Sequence, residues 1–294
     1  MKSFGVVLFF IGLCTIVHGA QYRPVVLMHG IGANNDSMTQ VVAWIHEALG
    51  PDIYVKNVEI GNGYWDSFFW NMNKQCDDFC NQMRSDPNLA QGFNLIGYSQ
   101  GGMTTQCYIE RCNNPPVYNY VSWSGPHAGE FGVPEEDWAY LVKEVGGIIY
   151  EDHIQDTISF AGYWRDPYQL DKYLEKSIFL ADINNERDTK NSTYKERITS
   201  LNAMVLLYST IDTTIIPRES GWFEFYANNT NHEKDVIPLK QSPWYTEDWI
   251  GLRTLDESGR LILDEVECKH SQYPTDACKA IFEEYTLPWL DNYL

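Results

Sequence analysis

The sequence is poor in positive charge: 21 Lys and Arg stand against 40 Asp and Glu in 294 residues, a formal net charge of −19. That balance disfavours nucleic acid as a partner, because neutralising phosphates is what drives such binding. Long hydrophobic runs are also missing. The run Val6-Val7-Leu8-Phe9-Phe10-Ile11-Gly12-Leu13 follows Lys2 and gives way to Gly19-Ala20. It falls short of the ~20 apolar residues of a membrane span and reads as a signal peptide over residues 1–20, leaving no transmembrane span. Compact metal-ligand clusters are lacking as well. Cys76 with Cys80 and Cys268 with His270 have plausible ligand spacing, but no second compact pair completes a finger-like pattern, so no metal is expected. Nothing resembles a repeat, a low-complexity stretch or an interdomain linker, so residues 21–294 are expected to fill a single core.

Lys2 is the only charged residue among the first twenty, and its removal with a leader takes the net charge from −19 to −20. A chain this acidic repels itself less as its carboxylates protonate, which suits a low-pH organelle. Six cysteines lie beyond residue 20: Cys76, Cys80, Cys107, Cys112, Cys268 and Cys278. An even number in an oxidising route makes disulfides the expectation. If helices near 65–83 and 101–111 run side by side in parallel, their ends bring Cys80 to Cys112 and, one turn earlier, Cys76 to Cys107. Cys268 and Cys278 then close a local loop. Asn35, Asn191 and Asn228 each open an Asn-X-Ser/Thr triplet and are candidate glycosylation sites in that compartment.

Segments 24–28, 53–58, 93–98, 117–123, 203–208 and 260–263 read as short strands, with helical stripes between them. Met38, Val41, Val42, Ile45, Ala48 and Leu49 form one stripe. Trp65, Phe68, Phe69, Met72, Cys76, Phe79, Cys80 and Met83 form another. Such alternation predicts a mainly parallel sheet covered on both faces, with active groups beyond the strand carboxyl ends. At one such end stands Gly97-Tyr98-Ser99-Gln100-Gly101. A strand before this Gly-X-Ser-X-Gly turn and a helix after it are the context of a nucleophile elbow, which presents the serine at a helix N-terminus. His29-Gly30 follows another strand end, where the Ile31 amide can pair with the Gln100 amide as an oxyanion hole; the His29 imidazole itself is expected to be structural.

A serine nucleophile needs a base and an orienter, which on this architecture follow in the order Ser, acid, His. His18, His29 and His46 precede Ser99, His127 and His153 come too early, and His232 sits in a polar loop beside a triplet. His270, after the last strand, is the expected base. Asp212, just beyond the strand at 203–208, is the expected acid, with Glu219 and Asp235 as competitors.

Gly97-Tyr98-Ser99-Gln100-Gly101-Gly102 resembles the nucleophile signature of the palmitoyl-protein thioesterases, lysosomal α/β-hydrolases that remove fatty acyl groups from cysteines. The resemblance extends to Ser177 through Asn184, to Trp222-Phe223-Glu224-Phe225-Tyr226, and to Tyr245-Thr246 through Gly251-Leu252. It implies an α/β-hydrolase fold, a mainly parallel central sheet with a helical cap insertion around 129–200. The family triad maps onto Ser99, Asp212 and His270, its oxyanion amides onto Ile31 and Gln100, and its inter-helix disulfide onto Cys80 and Cys112. The expected activity is a serine thioesterase acting on S-acylated proteins or peptides, or on acyl-coenzyme A, without a cofactor. The expected location is the lysosome, with secretion as a second destination and glycans as the handle for a sorting receptor. Two rivals stand beside it: a lysosomal or secreted oxygen-ester lipase or esterase on the same fold, and a binding protein on a dead hydrolase scaffold. Between the strands at 117–123 and 203–208, Trp138, Leu141, Val142, Ile148, Ile149, Ile154, Ile158, Phe160, Tyr163, Trp164, Ile178, Phe179 and Leu180 exceed what one helix needs to dock. Most are expected to be core, and some to line an acyl groove that favours long chains at about 0.8 kcal/mol per methylene.

Overall fold

Short runs of aliphatic residues, bounded by Gly, Pro and Asn, are too brief for buried helices and pair instead as strands. In the computed structural model, which describes residues 21–294, six of them form one sheet. They are β1 (Val25–Met28), β2 (Val55–Val58), β3 (Phe93–Tyr98), β4 (Val117–Trp123), β5 (Ala203–Ser209) and β8 (Leu261–Val266). The order is β2-β1-β3-β4-β5-β8, with every pairing parallel. Two short strands, β6 (Phe225–Tyr226) and β7 (Val236–Ile237), make a separate antiparallel ribbon. The expected signal peptide lies outside the described residues.

Burial on both faces explains why the central strands are mostly apolar: every residue of β1, β3 and β5 is buried, with Asn94 and Ser209 among the few polar members. Successive side chains go to opposite layers. Val25 and Leu27 pack with Val41, Trp44 and Ile45 of α1 (Thr39–Leu49). Val26 and Met28 belong to the other cluster, with Cys76 and Phe79 of α3 (Met72–Arg84) and Tyr108 of α4 (Gln100–Arg111). The chain leaves β1 toward the β2 edge and returns across it to β3, so Met28 and Gly97 are register partners and their following loops meet. That reversal is where open α/β sheets create a crevice.

The helical stripe expected from Trp65 to Met83 is interrupted. It divides into α2 (Tyr64–Phe69) and α3, because Trp70 is extended and the Asn71 side chain caps α3 by accepting from the Lys74 amide at 2.9 Å. Trp65 and Phe69, read as members of one buried stripe, are 64% and 45% exposed. The last strand also runs further than expected, to Val266. Disulfides join Cys76 to Cys107, Cys80 to Cys112 and Cys268 to Cys278. The first two fasten α3 beside α4.

Between β4 and β5 the chain makes only short helices: α5 (Ala139–Val145), α6 (Asp152–Gln155), α7 (Leu170–Lys176), α8 (Leu180–Ile183) and α9 (Ser192–Thr199). Helices this short do not hold themselves. Side chains bind the backbone instead. Gln155 Nε2 donates to the carbonyls of Ile149 (2.9 Å) and Ala161 (2.8 Å), and its Oε1 accepts from the Ile178 amide at 3.1 Å.

Candidate active site

β3 hands its last residue, Tyr98, directly to the turn, and α4 begins one residue later. Ser99 therefore has to bend the chain sharply, at φ 55° and ψ −129°, a strained conformation for a residue with a side chain. The surroundings fix it. The Ser99 amide donates to the Trp123 carbonyl of β4 at 2.9 Å, and the Gly102 amide to the Ser99 carbonyl at 2.8 Å. Two glycines leave the necessary room. A Cβ on Gly101 would stand 2.4 Å from the His29 carbonyl oxygen, and one on Gly30 would stand 2.9 Å from Ser99 Cβ.

His270 enters just after β8, between Cys268 and the helical turn that leads to Cys278, with its carbonyl accepting from Tyr98 Oη at 2.7 Å. Asp212 enters on the loop after β5. The structure brings the three candidates into one chain of contacts: Ser99 Oγ lies 2.9 Å from His270 Nε2, and His270 Nδ1 lies 2.7 Å from Asp212 Oδ2. All three are buried. The other Asp212 oxygen accepts from the amides of Thr214 (2.8 Å) and Ile215 (3.1 Å). Burial alone would raise the Asp212 carboxyl, but the His270 imidazole and those two amides outweigh it and hold the group below the usual carboxylate range. An ionised Asp212 only accepts, so His270 Nδ1 donates to it and Nε2 is left to accept from Ser99.

Ile31 lines the cleft over Ser99. Gln100 does not line it; its backbone opens α4, and its side chain turns inward, where Nε2 donates to the Ser67 carbonyl (2.9 Å) and Oε1 accepts from Tyr163 Oη (3.0 Å). Ser67 Oγ in turn accepts from the Gly32 amide at 2.8 Å, so α2 braces the loop that carries Ile31. The His29 ring is buried, its Nδ1 donates to the Gly30 carbonyl at 2.8 Å, and burial pushes its pKa down. Competing acids lie elsewhere: Glu219 pairs with Arg218, and Asp235 accepts from Thr230.

The cleft is a cavity of about 290 Å³ whose walls include Tyr64, Trp138, Thr214, Glu136 and Asp137. Of the apolar residues expected to supply an acyl groove, Trp138 alone is part of it; Phe160, Tyr163, Phe179 and Leu180 are buried in the main core. A larger cavity of about 400 Å³, walled by Leu170, Phe225, Tyr226, Trp244 and Trp249, contains none of the triad candidates. Asn191 and Asn228 are exposed and Asn35 is half-buried. Among the described residues no cluster of His, Cys, Asp and Glu is arranged to hold a metal ion, and no helix is long and apolar enough to cross a membrane.

Sequence reasoning missed the acidic turn at Glu135–Asp137 in the cleft wall, and it missed the part of His127, which binds Gln106 Oε1 at 2.7 Å and Ser122 Oγ at 2.8 Å beneath α4. No motif marks either, since both depend on contacts between distant segments.

The chain as a whole has relatives among known proteins. The family model described as palmitoyl protein thioesterase matches residues 24–270. Palmitoyl-protein thioesterase 3 of Dictyostelium discoideum is 55% identical, over 92% of this chain and 93% of its own length. The Lysosomal thioesterase PPT2 homolog of Drosophila melanogaster is 33% identical, over 92% of each chain. Among solved structures, a lipase-esterase related protein from Clostridium acetobutylicum superposes with a TM-score of 0.50 at 14% identity, over 91% of this chain and 93% of that one, a likeness of fold alone.

Proposed function

Since the chain belongs to the palmitoyl protein thioesterase family, thioester hydrolases on an α/β-hydrolase fold, we propose that Ser99, His270 and Asp212 perform this hydrolysis through an acyl-enzyme. The observation that carries the reading is the unbroken relay from Ser99 Oγ through His270 to Asp212, at 2.9 and 2.7 Å.

In this mechanism His270 Nε2 takes the Ser99 proton as Oγ attacks the thioester carbonyl, and Asp212 stabilises the imidazolium. The amides of Ile31 and Gln100 receive the oxyanion. The thiolate leaves readily because the pKa of a thiol is about 8.5, and it takes the proton from the His270 imidazolium as it departs, which returns His270 to its neutral form. Water deprotonated by His270 then attacks the acyl-Ser99 carbonyl, and the fatty acid departs with Ser99 Oγ reprotonated. No cofactor takes part. Substrates are long-chain S-acylated cysteines, in proteins or peptides, or acyl-coenzyme A. Residues 21–294 form one domain, with 129–200 as a cap over Ser99, a reading supported by Glu136, Asp137 and Trp138 in the cleft wall.

A lysosomal destination reached through the secretory pathway is supported by the apolar leader-like segment, the acidic composition, the disulfides and the exposed Asn191 and Asn228, whose glycans a sorting receptor would read. The deciding experiment measures kcat/KM for palmitoyl-coenzyme A and a matched oxygen ester, then for acyl chains from butyryl to stearoyl below their micelle concentrations. The reading expects the thioester to win and the rate to climb toward palmitoyl; a better oxygen ester or a short-chain optimum would make this a general esterase.

A further inference from the structure

A fatty acyl chain carries no charge, so any charge in the cleft wall acts on the other half of the substrate, the thiol that leaves. That wall is acidic. Glu136 and Asp137 line the cleft with Ser99 and His270, and an adjoining cavity that shares Glu136, Thr214 and His270 adds Glu135. Lys269 is the single lysine or arginine in the two linings. The turn that carries the carboxylates is tied to the loop of Asp212: the Glu135 amide donates to the Thr213 carbonyl at 3.1 Å, and Thr214 Oγ1 donates to Glu136 Oε1 at 2.7 Å. None of the ion pairs found among the described residues engages Glu135, Glu136 or Asp137. Their charge therefore faces whatever enters, against the background of a strongly acidic chain.

We propose that the cleft selects S-acylated cysteines with Lys or Arg neighbours over acyl-coenzyme A, and that the Glu135–Asp137 turn is the element that makes the choice. The inference rests on the thioesterase reading and sharpens it to a substrate class. Coenzyme A carries a pyrophosphate and a further phosphate on its adenosine end, which this wall repels; a basic peptide is attracted. Clefts lined by one sign of charge change encounter rates with charged substrates by about 10- to 1,000-fold, and specificity built on repulsion of the wrong partner is as effective as attraction of the right one.

The test uses the full chain and dodecanoyl thioesters below their micelle concentrations: a cysteine peptide flanked by Lys, the same peptide flanked by Glu, and dodecanoyl-coenzyme A. At low ionic strength the Lys peptide should exceed the coenzyme A ester in kcat/KM by about 10-fold or more, with the Glu peptide between or below them. The ratio should shrink to within about threefold at 0.5 M salt, where screening is nearly complete beyond a few ångströms. Combining Glu135→Gln, Glu136→Gln and Asp137→Asn should shrink it similarly at low salt. Glu175→Gln, on the exposed face of α7, should leave it unchanged, separating a local wall from net charge. Equal kcat/KM for the three substrates, or a ratio that ignores both salt and the triple substitution, overturns the inference and leaves the thioesterase reading intact. No turnover of any thioester sinks both.

Discussion

Every residue of β3 and β5 is buried and held by a parallel ladder, while the stretch from Gly129 to Thr199 has no helix longer than α9 and depends on single side chains such as Gln155. The sheet brings Ser99, Asp212 and His270 together from three strand ends with separations below 3 Å. The intervening segment contributes only walls to the cleft. In a sheet, repeated hydrogen bonds make position a property of the whole ladder, whereas in the 129–200 segment it is a property of a few contacts. Precision belongs to the first region and adaptability to the second.

The harshest break of that contrast is Ser99→Ala, which should reduce turnover by about 10⁴-fold or more while fluorophosphonate labelling disappears and the melting temperature stays near wild type. A near-normal rate would remove Ser99 from the reaction. Asp212→Asn should cost about 10⁴-fold by permitting the wrong His270 tautomer, whereas Glu219→Gln should stay within about twofold of wild type. Replacing Cys80 and Cys112 together by Ser should lower stability by about 3 kcal/mol in denaturant titration, because even with Cys76–Cys107 retained the bridge closes a further loop of roughly ten residues.

Gln155→Ala sharpens the contrast from the other side. It strips two buried carbonyls and one amide of their partner, for a loss of about 2–3 kcal/mol, and should raise proteolysis within 129–200 while Ser99 still labels. Simultaneous loss of labelling would mean the two regions are not separable. The smallest expected effect is on pH dependence. Burial holds the Glu110 carboxyl well above its ordinary range, with one oxygen accepting from Gln106 at 3.1 Å and the other unpartnered. A carboxyl raised in the folded state gives full stability below its unfolded pKa of about 4.3 and loses it as pH rises through the folded value. Glu130 and Glu186 are raised in the same direction. Asp212, held low, contributes oppositely, above about 3.9. The urea midpoint should therefore be higher at pH 5 than at pH 7, and Glu110→Gln should narrow that difference.

What could be read from sequence follows the same division. The strand at 93–98, its sharp turn at Ser99 and the meeting of Ser99 with Asp212 and His270 were legible because ladders and turns impose local patterns: period, glycine spacing, chain order. The break at Trp70-Asn71 was not, since Cys76, Phe79 and Met83 continue the helical spacing across it and only a capping contact reveals the stop. Nor was the fate of Phe179 and Leu180, apolar residues whose composition is the same whether they fill core or line a groove. The Glu135–Asp137 turn carries no motif, and only its contacts with Thr213 and Thr214 place it beside His270.

Gly30 and Gly101 bear on how such a molecule can vary over generations. Each sits against the other's loop: Gly30 against Ser99, and Gly101 against the carbonyls of Met28 and His29. Neither position accepts a methyl: at Gly30 it would meet the Ser99 side chain, and at Gly101 the carbonyls of Met28 and His29. Lineages of this chain are thus expected to inherit both glycines, while the turn at Glu135–Asp137, held through Thr213 and Thr214, can change its charge and with it the thiol that the cleft admits, without moving Ser99.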